Sequence, residues 1–164
     1  MSPKRIDPHF KQERTRVYPD ERNDTYDEIQ KREGTLMCDR CGSAWMDGRW
    51  SWDPVPLDAE STVCPACRRI EDNYPAGIVR IDGPFVQTHA EEIRNLIRQV
   101  ESAEKGEHPM ERFLEFPKEG PPWKITTTGT HLARRIGESL NAAFEGELRI
   151  DYRPETFLRV WWSR

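Results

Sequence analysis

Apolar positions in the second half of the chain recur with two different periods. In THAEEIRNLIRQVESAEKG, Ile93, Leu96, Ile97 and Val100 fall at i, i+3, i+4 and i+7. That spacing predicts an amphipathic helix, with Thr88 and Glu91 as a capping box and Gly106 as its stop. Leu132, Ile136, Leu140 and Phe144 predict a second helix over about 131–144. Thr130 is placed to cap its start, and Gly146 sits where a glycine closes a helix. Short β-type runs surround these helices: a strand near 77–82, ERFLEF (111–116), WKITTT (123–128), ELRIDYR and TFLRVWW. PKEGPP between the second and third runs predicts a hairpin loop.

The predicted order is β-α-β-β-α-β-β. Its first six elements match the split β-α-β pattern of a ferredoxin-like sandwich, with one extra strand. The fold class is therefore α+β, with two helices on one face of a mainly antiparallel sheet. The domains expected are an N-terminal arm over 1–34, a zinc ribbon over 35–72 and the ferredoxin-like unit over 73–164. The arm carries eight Lys/Arg, eight Asp/Glu and three prolines and no lasting period. It is expected to be disordered alone, either as a plain solvated tail or as a segment that orders on a partner.

Composition narrows the function classes. Hydrophobic residues are 35% of the 164, charged residues 33%, and the formal net charge is −4. An acidic chain is a poor indiscriminate nucleic-acid binder, yet it can carry a local basic patch. There is no apolar run long enough for a membrane span and no apolar signal core at the start. The expectation is a cytoplasmic protein without a membrane partner.

The four cysteines form two C-x-x-C pairs, CDRC (38–41) and CPAC (64–67), separated by 22 residues. Each pair suits a knuckle that points two thiolates at one ion, and Gly42 suits the tight backbone after the first. Cys38, Cys41, Cys64 and Cys67 thus predict one structural Zn2+, with every coordination position filled by sulfur. A rubredoxin-type iron is the alternative metal. A redox pair should follow a strand and open a helix, a setting that neither pair shows in the sequence.

Three tryptophans, Trp45, Trp50 and Trp52, lie between the pairs, with Arg49 beside them and Arg68 and Arg69 after the last cysteine. Two readings compete. Trp50, Trp52, Arg49, Arg68 and Arg69 can form an aromatic, cationic platform for unpaired bases. Alternatively, the tryptophans cover a metal in a unit too small for much core.

The segment ITTTGTHLARRIGESL (125–140) poses a similar choice. Thr130, His131, Arg134 and Arg135 stand at a helix start, where free N–H groups favour an anion, and Lys124 lies just before. These residues make an RNA phosphate site or an ordinary exposed face, with Glu138 one turn from Arg134.

The stretches CDRCG, CPACRRI, YPAG, ITTTGTHLARRIGESLNAAFEGEL and LRVWWSR resemble a bacterial family of small zinc-ribbon proteins. The paired knuckles and the TTT…HLARRIGE segment also resemble, more faintly, the Nmd-type adaptor of the large ribosomal subunit. This likeness implies association with the ribosome or ribosomal RNA, with ribosomal proteins as further candidate partners. A translation-regulating or ribosome-dormancy role is the corresponding expectation. The other class is an adaptor whose ribbon and arginines grip an acidic protein surface. No Walker, G-x-G-x-x-G or nucleophile-elbow motif occurs, and the four histidines are scattered, so no enzyme or small-molecule substrate is expected.

Overall fold

A computed structural model describes Tyr26, residues 33–152 and residues 157–164. These residues form two sheets and four helices. The arm expected over 1–34 lies outside the described residues except for Tyr26, Glu33 and Gly34. No helix among them is long and apolar enough to cross a membrane.

The first sheet holds β1 (Leu36–Cys38), β2 (Ala44–Met46), β3 (Arg49–Ser51) and β4 (Glu60–Thr62), in the order β3-β2-β1-β4. β2 and β3 are an antiparallel hairpin in which Met46 pairs with Arg49. Asp47 and Gly48 close it with φ of 52° and 77°, the left-handed pair that a two-residue turn requires. β4 returns parallel to β1 and runs into helix α1 (Pro65–Glu71). So the second cysteine pair does follow a strand and open a helix, contrary to the sequence expectation. Seven residues carry too little periodicity to show a helix in advance, although Pro65 at its first turn is a helix-start residue.

The second sheet comprises β5 (Gly77–Asp82), β6 (Phe113–Glu115), β7 (Trp123–Thr127), β8 (Glu147–Tyr152) and β9 (Leu158–Ser163). With them come α2 (Pro84–Thr88), α3 (Ala90–Glu107) and α4 (Thr130–Phe144). The strand order is β6-β7-β5-β9-β8. The α+β class and the β-α-β-β-α-β order with an extra strand are as expected; the place of the extra strand is new. β8 leaves α4 for the outer edge, and β9 returns between it and β5, parallel to β5. Burial explains the choice. Leu158, Val160 and Trp162 alternate along β9 and are at most 1% exposed, so β9 needs cover on both sides. β8 is partly exposed along its whole length and tolerates an edge.

Ile93 and Ile97 of α3 meet Leu132, Ile136 and Leu140 of α4 over Val79 and Ile81 of the sheet. Three helix boundaries differ from expectation. Thr88 ends α2, where its hydroxyl donates to the Phe85 carbonyl (3.1 Å), so it caps nothing for α3. α3 passes through Gly106 and stops at Glu107. Likewise Thr130 is already helical, and Gly129 holds the cap position of α4. At the far end of α4, Glu145 and Gly146 take φ of 59° and 111°, as a glycine-closed helix requires.

Candidate metal centre and the adjoining pocket

Each cysteine pair is aimed by its own turn. After β1 the backbone folds back so that Gly42 N–H donates to the Cys38 carbonyl (2.9 Å) and Cys38 N–H to the Ser43 carbonyl (2.8 Å). Gly42 has φ of 79°, which places the tight turn on the residue best able to adopt it. Cys64 caps α1: its sulfur accepts from Cys67 N–H at 3.3 Å, while its own N–H donates to Cys38 Sγ at 3.2 Å. Such N–H···S contacts favour thiolates and cross-link the two turns.

The four sulfurs lie within 4.8 Å of one another, and all four cysteines are free of disulfides. The Cys41–Cys64 separation is 3.8 Å. A tetrahedron with Zn–S near ~2.3 Å has edges of about 3.8 Å, so the donor set fits one structural zinc. Cys38 and Cys64 are at most 1% exposed, which leaves no opening for water to reach the metal from their side. Ser43, wholly buried, lies 3.1 Å from Cys41 Sγ through its hydroxyl. The hydrogen bond from Cys64 draws the Cys41 thiol down to about 4, while that bond and burial push Cys64 up. Burial likewise raises Cys67, against the pull of Arg112.

Arg112 is the residue that sequence reasoning missed. It precedes β6 in the second sheet, is 8% exposed, and reaches across to the thiols of the first. Nη2 lies 3.1 Å from Cys64 Sγ, 3.5 Å from Cys67 and 3.7 Å from Cys41, and Nη1 is 3.5 Å from Cys67. Burial opposes its charge, yet the neighbouring thiols more than compensate and hold it protonated. Four thiolates, a zinc dication and this guanidinium together leave one negative charge to bury, in place of two. No spacing rule marks Arg112, because it stands far along the chain from every cysteine.

The helix start that looked like a phosphate site is served by the protein's own anion. Glu111 Oε2 accepts from Leu132 N–H (2.9 Å) in the first turn of α4. Gly129 makes room for it: a Cβ there would lie 2.1–2.3 Å from the Glu111 carboxyl. Burial raises Glu111 above the ordinary carboxyl range, opposed by the Leu132 N–H and by His131. The nearby basic side chains are engaged as well. Glu104 binds His131 Nε2 (3.0 Å) and Arg135 Nε (3.2 Å). Arg134 is half-buried, donates to the Tyr152 hydroxyl and lies 5.1 Å from that ring's centre.

The other expected site residues separate. Arg69 is 5% exposed and stacks against Tyr26 and Tyr74, so it is withdrawn from the surface. The Tyr26 hydroxyl donates to Asp72 (2.8 Å), which ties one residue of the arm segment to the end of α1. Trp52 lies beyond β3, where its Nε1 donates to the Lys105 carbonyl (2.6 Å). It therefore does not continue a strand face with Trp50. Arg68 is exposed. Lys124 pairs in register with Arg80, Arg80 with Trp161, and Trp161 with Arg149. This cationic and aromatic row crosses four strands on the face opposite the helices, and only the pairing register reveals it.

Arg49, Trp50 and His131 are brought together. They line one pocket of about 490 Å³ together with Trp45, Gly48, His108, Pro109, Met110 and Glu111. Trp45 and Trp50 pair across the hairpin with ring centres 5.7 Å apart. Trp50 also packs on the cysteine cluster, so it covers the metal and forms a pocket wall at once. Its buried Nε1 has no hydrogen-bond partner. His108 and His131 stand edge to face at 6.3 Å. No family model, curated protein or solved structure matches the chain.

Proposed function

We propose that the protein is a non-enzymatic, cytoplasmic zinc protein that associates with RNA, with ribosomal RNA or the ribosome as the partner class. The observation that carries this reading is the meeting of Arg49 and Trp50 of β3 with His131 of α4 at one aromatic pocket. Unpaired RNA bases are held by stacking on aromatic side chains and by hydrogen bonds to their edges. Trp45, Trp50 and the two histidines supply ring faces and edges, and the buried Trp50 Nε1 supplies an unused donor. Arg49, with a side chain 76% exposed at the rim, is placed for a backbone phosphate. The volume suits a single base with its sugar.

The charge balance supports a local contact over bulk attraction. The chain is acidic, and Glu104 binds both His131 and Arg135 at the start of α4. The ribosomal part of the reading rests on the resemblance of the paired knuckles and the TTT…HLARRIGE segment, and a role in translation control or dormancy follows from that part. The test is sedimentation of tagged protein from lysate through a sucrose gradient, with titration of a single-stranded RNA followed by tryptophan fluorescence. Co-migration with a ribosomal particle that weakens with salt, and quenching by RNA, are expected. Protein that stays at the top of the gradient at every salt, with fluorescence unmoved by RNA, would reject the reading.

A further inference from the structure

We infer that Arg112 makes the metal centre and the pocket a single linked unit, so that the pocket is assembled only while the four thiolates are gathered on their ion. The inference rests on the RNA reading for what the pocket holds, but not for the linkage itself.

His108, Pro109, Met110 and Glu111 form one side of the pocket, and the next residue is Arg112. The opposite side is the β2–β3 hairpin, which begins directly after the first cysteine knuckle. The metal cluster lies behind both sides: Trp50 of the hairpin and Met110 of the 108–111 strap both pack against it. The guanidinium of Arg112 then joins the strap to Cys41, Cys64 and Cys67 at 3.1–3.7 Å.

The strap is also bonded to the segment that follows β7 and to the start of α4. Arg112 N–H donates to Thr128 Oγ1 (2.9 Å), and that hydroxyl donates to the Met110 carbonyl (2.6 Å). Glu111 caps α4 through Leu132. A movement of the thiolates is therefore passed to both pocket walls through short, buried contacts. A buried guanidinium that loses its thiolate partners is an uncompensated charge, so undocking accompanies loss of the metal. By linkage, whatever the metal contributes to docking, docking contributes to metal retention.

Two measurements on the full-length protein test this. The first uses the wild type alone: hydrogen exchange of peptides covering 45–50 and 108–112, before and after zinc is stripped with a chelator. Both walls should lose protection together. The second compares Arg112→Met with Arg112→Lys, reading zinc transfer to a chromophoric chelator. Zinc should leave R112M about tenfold or more faster, as for loss of a partner to a ligand sulfur, with R112K intermediate. With zinc kept in excess, affinity of R112M for a labelled single-stranded RNA should fall about tenfold. If stripping exposes 45–50 while 108–112 stays protected, or if folded R112M and R112K release zinc like the wild type, the linkage is wrong. If the walls and zinc release respond as expected but wild-type protein binds no RNA, the linkage stands and the RNA reading falls.

Discussion

Arg112 Nη2 sits 3.1 Å from Cys64 Sγ, a contact between the loop before one sheet and the helix that follows the other. It puts the only positive side chain found in hydrogen-bond contact with the thiols, among the described residues, on the partner sheet. Removing zinc should then do more than melt the small sheet. On heating with a chelator, near-UV circular dichroism from Trp45 and Trp50 should vanish first. Protection of the Arg112 amide should be lost in the same step. Loss of the ellipticity with that amide still protected would place the two events apart.

Trp50 carries two jobs that two substitutions separate. Trp50→Ala removes a wall packed on the cysteines and should destabilise the small sheet by about 3 kcal/mol or more, with zinc released more readily. Trp50→Phe keeps an aromatic wall but deletes Nε1–H. It should retain one zinc and lose about tenfold in RNA affinity, the worth of one well-placed hydrogen bond in a desolvated site. Metal analysis and fluorescence anisotropy read the two effects; unchanged affinity in zinc-loaded W50F would remove that donor from the account.

The start of α4 gives a pH prediction whose sign can be worked out. Glu111 has a folded pKa raised above the ordinary 4.5, chiefly by burial. The folded state therefore holds its proton more tightly than the unfolded chain does. Its ionised form costs stability at neutral pH, and that cost fades as pH falls through the raised value towards 4.5. Glu111→Gln keeps an oxygen to accept from Leu132 N–H. It should equal or exceed wild-type stability at pH 7, with the difference closing as pH drops. Urea unfolding across that range measures it, and a difference that widens on acidification contradicts the assignment. Gly129→Ala, in contrast, drives a methyl into the Glu111 carboxyl and should cost about 1–3 kcal/mol at every pH.

Arg134→Gln with Arg135→Gln now has a different expected outcome from that of a bare phosphate site. Arg134 lies over Tyr152 and Arg135 is bound to Glu104, so their loss should trim stability by about 1 kcal/mol in total. The salt dependence of RNA binding should hardly move. Arg49→Gln with His131→Gln should weaken binding and lower the slope of log affinity against log salt by about one unit, since one phosphate contact is removed. Equal slopes for the two double variants would remove Arg49 and His131 from the binding surface.

The elements that sequence revealed are those with a long period or a fixed spacing. Ile93 to Val100 and Leu132 to Phe144 announced α3 and α4, and two C-x-x-C pairs announced the metal cluster. What stayed hidden depends on pairing between distant segments. The outward position of β8 follows from how deeply Leu158, Val160 and Trp162 are buried, and a single strand does not display its neighbours. Arg112 and Glu111 look like ordinary charged residues in ERFLEF until the fold sets one on the thiols and the other on a helix end. Thr88 and Thr130 show the opposite failure: each matched a cap motif locally, but Thr88 closes the short α2, and Gly129 already holds the cap position of α4.

The central claim is that Cys38, Cys41, Cys64 and Cys67 together hold one zinc ion. Zinc K-edge X-ray absorption on protein purified without added metal tests it most directly. One zinc per chain is expected, with a first shell of four sulfurs at about 2.3 Å and no lighter scatterer. A shell with nitrogen or oxygen ligands, or protein that carries disulfides and no zinc, would contradict it.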